Sequence, residues 1–341
     1  MIKFPKIKQY RQIVKILSDK ERFTGLDENG DPTFDSNKEL PTIEFTGRCK
    51  LHGTNAAVIL DTKDRVLITQ SRERIITPIE DNAGFSAWVN KKGYKLWEDL
   101  LGNMDIREIH KRYIVIYGEW CGGNIQKTVA LTELPKMFVV FGLIHKSDYS
   151  VEENEQVEWC DFTKVKENPD ELIYNIGRIP SFRVDVNLNI PKTSIAQMVE
   201  ITDKVEECCP FAKSLGIEGI GEGVVYTEGY NYDYAFKVKG EKHSISKVKK
   251  LPSVNVEAVS GARAFAHKHA HEDRLEQAWG IVCEPPEGKG MEMLGDFIQW
   301  VVNDILEEEL DEAVENEIDI KLIKKNVPQI CVPWFKRKLF S

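Results

Sequence analysis

The polar run Arg48-Cys49-Lys50-Leu51-His52-Gly53-Thr54-Asn55 lies between two segments apolar enough to be β-strands, residues 42–45 and 56–60. It therefore reads as a turn-like link. Gly53 permits tight geometry there and lets backbone approach a ligand closely. A lysine held in such a link, among backbone N–H groups and beside phosphates, can lose its proton and attack phosphorus through nitrogen. Lys-x-x-Gly by itself occurs in many proteins, so its weight depends on the rest of the chain.

Short apolar stretches recur at residues 65–69, 113–117, 137–144, 223–226 and 234–238, several rich in Val, Ile and Tyr, and each reads as a strand. Apolar spacing predicts helices over 87–101 and 195–207, and residues 1–20 read as a short helix leading into a Gly- and Asp-rich loop at 25–32. Strands following strands with helices outside them predict an α+β fold with largely antiparallel sheets. The run Lys249-Lys250-Leu251-Pro252-Ser253 reads as a linker, and the pattern beyond it is helical. One segment covers 256–283. A second covers 289–316, with Phe297, Val301, Ile305 and Leu306 as an apolar stripe, and two short helices are expected over 320–325 and 333–340. A length of 341 residues suits two domains.

Four further runs follow the Lys50 link: Tyr117-Gly118-Glu119-Trp120, Phe138-Val139-Val140-Phe141, Glu222-Gly223-Val224-Val225-Tyr226 and Phe236-Lys237-Val238-Lys239. In that order and at these separations they resemble the motifs of covalent nucleotidyltransferases, the DNA ligases, RNA ligases and mRNA capping enzymes. DNA ligases and capping enzymes usually carry an acid where His52 stands. The hexapeptide Lys50-Leu51-His52-Gly53-Thr54-Asn55 is instead similar to the RNA ligase 2 family, which includes phage double-strand RNA ligases and RNA-editing ligases. In the tail, Asn303-Asp304-Ile305-Leu306-Glu307-Glu308 and Leu322-Ile323-Lys324-Lys325 resemble that family's C-terminal domain. The resemblance implies a nucleotidyltransferase (adenylation) domain with antiparallel sheets and flanking helices over residues 1–248, and an all-helical C-terminal domain over 254–341.

It also implies an ATP-dependent RNA ligase that joins a 3′-hydroxyl to a 5′-phosphate, at nicks in duplex RNA, with ATP and Mg2+ or Mn2+ as cofactors. Lys50 is the expected nucleophile. Lys237 and Lys239 are separated by one residue on a strand and so point to one face, where two cations can reach one phosphate. Glu119 is expected on the adenosine ribose, and Glu222 near the divalent metal, through water. Phe141 is expected to stack on adenine, on the face opposite Phe138. Arg72 falls near the ribose and the nick, Asn55 beside ribose or phosphate, and His52 at the RNA. Arg274, in the helical tail, aligns with an arginine used during sealing. Two positions depart from the pattern. Cys49 takes the nucleotide-site place where phage relatives often have an acid, and Gly142 stands where Asp is common.

A net charge of −9 runs against a nucleic-acid partner until its distribution is considered. Residues 237–250 hold six lysines and one histidine against the single acid Glu241, whereas residues 304–319 hold nine acids and no base. The acidic run reads as a solvated helix face and the basic one as a phosphate contact. DNA ligases and capping enzymes usually append a strand-rich OB-fold, unlike this helical tail. A catalytically silent RNA-binding scaffold has no chemical need for both lysines of 237–239 and both acids. His267 and His271 fall on one face of a continuous helix, but no third metal ligand stands at a suitable spacing. Seven cysteines with no Cys-x-x-Cys pair suit a reducing compartment. No apolar run approaches the roughly 20 residues that span a bilayer, and the N-terminal residues lack the long apolar stretch of a secretory signal. A soluble, cytoplasmic protein is expected.

Overall fold

The most apolar runs of the sequence become the middle of a six-stranded sheet. Its order is β6(Ile75–Ile76)-β5(Val66–Ser71)-β4(Gly53–Asp61)-β7(Tyr113–Cys121)-β8(Met137–Lys146)-β9(Ile173–Asn175), antiparallel throughout except for the β8–β9 pair. β4, β7 and β8 are buried on both faces, which is why they read as continuous apolar runs rather than as alternating ones. One face, with Ala56, Val58, Leu60, Ile114 and Ile116, packs with Phe85, Val89, Leu96 and Leu100 from helices α2(Phe85–Lys92) and α3(Tyr94–Leu101).

A second sheet, β10(Phe182–Asn187)-β3(Thr42–Lys50)-β11(Gly223–Glu228)-β12(Asn231–Lys239), is wholly antiparallel. Here one face is buried and the alternation is plain: Phe45, Gly47 and Cys49 are buried while Thr46, Arg48 and Lys50 are partly open. Helices α1(Tyr10–Arg22), α4(Ile195–Glu207) and α5(Pro210–Ser214) supply Ile13, Leu17, Met198, Val205 and Phe211 to the core that holds this buried face. The other face meets the six-stranded sheet, and Val225 and Ala235 join Ala57, Ile59, Val115 and Tyr117 in a smaller core that includes Ile2 and Phe4.

The structure, a computed structural model, describes residues 1–102, 111–149, 157–239, 258–283, 290–315 and 318–339. The linker expected at 249–253, Pro285-Pro286, and Lys242, Lys247, Lys249 and Lys250 of the basic run lie outside the described residues. The chain divides into two units, Met1–Ser244 and Ile245–Ser341. The second contains α6(Ala258–His269), α7(Glu272–Val282), α8(Leu294–Glu315) and α9(Ile320–Leu339) around its own core of Phe265, Leu275, Trp279, Phe297, Ile305 and Phe335. Among the described residues no helix is long and apolar enough to cross a membrane.

Several elements differ from the sequence expectation. The N-terminal helix starts at Tyr10 rather than near residue 1, and the loop expected at 25–32 is the connection, residues 27–31, of a short hairpin formed by β1(Phe23–Leu26) and β2(Pro32–Phe34). Helix 87–101 is two helices, because Gly93 takes φ 55° and ψ −137°, which no helix accommodates. The segment 256–283 is likewise divided, with His271 capping α7 instead of sharing α6 with His267, so the two histidines do not lie on one helix. The two short helices of the tail are one, running through Pro328 and Pro333.

Candidate active site

Register places the basic side chains. In the β3–β11 pair Lys50 stands opposite Gly223 and Arg48 opposite Val225; in the β11–β12 pair Gly223 faces Lys239 and Val225 faces Lys237. Residues directly opposite each other share a face, as do residues two apart on one strand. Arg48, Lys50, Lys237 and Lys239 therefore all lie on the face that meets the six-stranded sheet. Arg48 was not among the expected site residues, though its place two residues before Lys50 on a strand is the signal that finds it. Its guanidinium lies over the rings of Phe162 and Tyr230 and donates to the Thr227 hydroxyl and the Gly229 carbonyl, which ties it to the β11–β12 turn.

Glu222, immediately before Gly223, is the convergence point. Its carboxylate is 3% exposed. Oε2 accepts from Lys50 Nζ at 2.6 Å and lies 2.9 Å from His52 Nδ1, while Lys239 Nζ is 3.4 Å from Oε1. Burial alone pushes this carboxyl up, but the charges of Lys50, His52 and Lys239 together hold it well below its ordinary value. The link between β3 and β4 is only Leu51-His52, so Lys50 and His52 reach the same oxygen from its two ends.

Glu119 approaches from the other sheet. It pairs with Asn55 in the β4–β7 ladder, and its Oε1 accepts the Gly53 N–H at 2.9 Å. Burial pushes its carboxyl up to about 7, against the opposing pull of Lys50. Gly53 is required for space: a Cβ here would meet the Trp120 carbonyl and lie 2.6 Å from Cys121 Cβ. Asn55 Oδ1 is buried without a hydrogen-bond partner, a costly state that a donor on a bound ligand relieves.

The structure thus brings together Lys50, His52, Glu119 and Glu222 with Lys239, and puts Lys237 on the same face. Phe141 lies farther along, at a bulge in β8 opposite Tyr117 and Gly118, in the small core between the sheets. Phe138 belongs to the core with Phe85 and Trp88. Arg72 follows β5, is exposed, and lies 3.7 Å from Glu73.

The side chains of two further expected residues are engaged within the protein. The Cys49 side chain points away from Lys50 into the core, 3.7 Å from Cys209 Sγ, so only its backbone remains for a nucleotide. Arg274 is 5% exposed inside the helical unit, 2.8 Å from Asp304 and 2.9 Å from Glu308, and it donates to the His269 carbonyl, which ties it to the acidic face of α8.

No group of three or more His, Cys, Asp or Glu side chains is arranged to hold a metal among the described residues. Glu222 by itself fits a hard cation that keeps its waters and phosphate oxygens, as Mg2+ does, and does not fit an all-protein cage.

The profile of the RNA ligase family matches residues 43–249. Among solved structures, a Naegleria gruberi RNA ligase with PPi is 14% identical with a TM-score of 0.39, covering 73% of this chain and 59% of that one. A mutant of the same ligase with AMP and Mn is 13% identical with a TM-score of 0.42, over 71% of this chain and 57% of that one. The chain thus spans less than two thirds of the length of that ligase. No curated protein matches it. The family match covers more than half of the chain and contains the Lys50 link, both acids and both lysines of β12, and on that ground the protein belongs to the RNA ligase family.

Proposed function

We propose that this protein is an ATP-dependent RNA ligase that joins RNA 3′-hydroxyl and 5′-phosphate ends, at nicks held in duplex, through AMP carried covalently on Lys50. The observation that supports it best is the pairing of Lys50 Nζ with a buried carboxylate at 2.6 Å, with Lys239 on the same face. Lys50 is charge-balanced in this pair, and Lys237 and Lys239 supply two further cations on the same face for phosphate.

The reaction has three steps. Lys50 Nζ, after its ammonium gives up a proton to solvent, attacks the α-phosphorus of ATP, forms an N–P bond with loss of a second proton to solvent, and expels pyrophosphate. The RNA 5′-phosphate then displaces the lysine and takes the AMP through a new pyrophosphate bond. The 3′-hydroxyl attacks that RNA phosphate, gives up its proton to solvent, makes the phosphodiester and releases AMP. Positioning and charge neutralisation supply most of the catalysis in such transfers.

Lys237 and Lys239 neutralise phosphate charge. Glu119, with a pKa of about 7, and Asn55, with its unpaired acceptor, meet the ribose. Phe141 stacks on the adenine, and the Cys49 backbone borders the base. Arg72 lies at the nick, and His52 orients Glu222 and the RNA end. Glu222 is the residue that would hold Mg2+ or Mn2+, which supplies further neutralisation of phosphate charge. Residues 1–248 act as the adenylation domain and 254–341 as the domain that grips RNA.

The experiment is incubation of wild type and Lys50→Ala with magnesium and α-labelled ATP or GTP, after pyrophosphate treatment to remove bound AMP. Label from ATP on denatured wild type, absent from Lys50→Ala and strongly reduced in Lys239→Ala, is the expected result. Labelling by GTP alone assigns the capping class. No labelling at all leaves a catalytically silent RNA-binding scaffold.

A further inference from the structure

Residues 1–9 form an extended strap that ties the two sheets together. Ile2 is bound to the six-stranded sheet through both of its backbone polar groups: its N–H donates to Gln70 Oε1 at 3.1 Å, and its carbonyl accepts from Gln70 Nε2 at 2.6 Å and from the Tyr117 hydroxyl at 3.0 Å. Gln70 is 1% exposed, so both polar ends of a buried side chain are committed to the strap. At the other end, the Lys8 N–H donates to the Ala235 carbonyl at 3.1 Å, and the Lys8 carbonyl accepts the Lys237 N–H at 3.3 Å. The strap is therefore hydrogen-bonded to the strand that carries the two lysines.

Between these anchors the Phe4 ring meets four others edge-on, with centroids at 5.1 Å from Tyr117, 5.2 Å from Phe141, 5.7 Å from Trp159 and 4.9 Å from Tyr232. The Tyr232 hydroxyl donates to the Phe141 carbonyl at 2.9 Å. Phe141 sits at the bulge of β8, where an extra residue releases a side chain from the regular ladder, so its direction depends on its neighbours.

We propose that Phe4 is a positioning residue for the nucleobase. It fixes the Phe141 ring, and the strap sets the separation between the sheet bearing Phe141 and the strand bearing Lys237, so that base and phosphates of one nucleotide reach both. This inference rests on the ATP-dependent reading of the site. It assigns a binding role to a segment outside every motif and outside the matched span 43–249.

The test is the rate of AMP attachment to Lys50 against ATP concentration for wild type, Phe4→Ala and Phe4→Leu. Loss of an edge-to-face ring contact is expected to raise KM for ATP about three- to tenfold in Phe4→Ala, with kcat within about twofold and a smaller rise in Phe4→Leu. A ring needed only for folding lowers the active fraction, and so kcat, but leaves KM unchanged; that result overturns the proposal. If Phe4→Ala is insoluble, Phe4→Leu is judged by the same criterion. Wild type that accepts no AMP overturns the ligase reading and this inference with it. Wild-type labelling with unchanged KM in the Phe4 variants overturns this inference alone.

Discussion

Two carboxylates of the site, the partly buried Glu119 and the buried Glu222, are shifted in opposite directions. The Glu119 carboxyl, raised by burial from its ordinary 4.5 to about 7, binds a proton in the folded protein that the unfolded chain has already lost between those pH values. Stability from Glu119 is therefore lost as pH rises through that window. Glu222, held low by its cations, contributes stability above its ordinary value that is lost as pH falls. Glu119→Gln keeps an acceptor for the Gly53 N–H and removes the buried charge. It should raise the thermal midpoint at pH 8 relative to wild type, with the gain shrinking towards pH 5, as scanning calorimetry across that range will show. A midpoint at pH 8 equal to or below that of wild type contradicts the assignment. The raised carboxyl was not legible in the sequence, because burial of Glu119 depends on β4 pairing with β7 more than fifty residues away.

At the scale of elements, the strands of the candidate site were legible because their apolar runs are long and β-branched. β3, β4, β7, β8, β11 and β12 all extend the predicted segments by a few residues. β6 and β9, of two and three residues, have no period to read, and β10 alternates over only six. The extended strap was read as helix although Ile2 and Phe4 alternate, because its hydrogen bonds come from residues far along the chain. Helix α9 misled in the other direction: prolines disfavour a helix interior, but Ile323, Val327, Cys331, Trp334 and Phe335 keep a continuous buried stripe across both of them. Arg274 was matched by sequence to a sealing arginine, while three acids of α8 determine its place. The break at Gly93 gives a direct test. Its φ of 55° with ψ of −137° is open to glycine alone, so Gly93→Ala should lower unfolding free energy by about 1–3 kcal/mol. Urea melts will measure it, and an unchanged midpoint contradicts the strained conformation.

At the scale of the whole molecule, the charge of −9 is unevenly spread. Lys321, Lys324, Lys325 and Lys336 are exposed along one side of α9, whereas α8 carries acids that are partly used internally by Arg274. On the proposed reading, the basic side of α9 meets phosphates. Replacing Lys321, Lys324 and Lys325 by Glu should weaken RNA binding alike for all sequences, and the slope of log affinity against log salt should fall by roughly one per lost phosphate contact. Titrations at several salt concentrations will decide it, and an unchanged slope assigns the lysines to solvent. The alternation of β3 has a consequence of a different kind. β3 is paired on both sides, and a slip by one residue would exchange its faces, burying the Lys50 ammonium and presenting the Cys49 thiol to the cleft. A chain slipped by one residue therefore presents no lysine at this position, so under the lysyl-AMP reading the fraction of a preparation that takes up AMP excludes such chains.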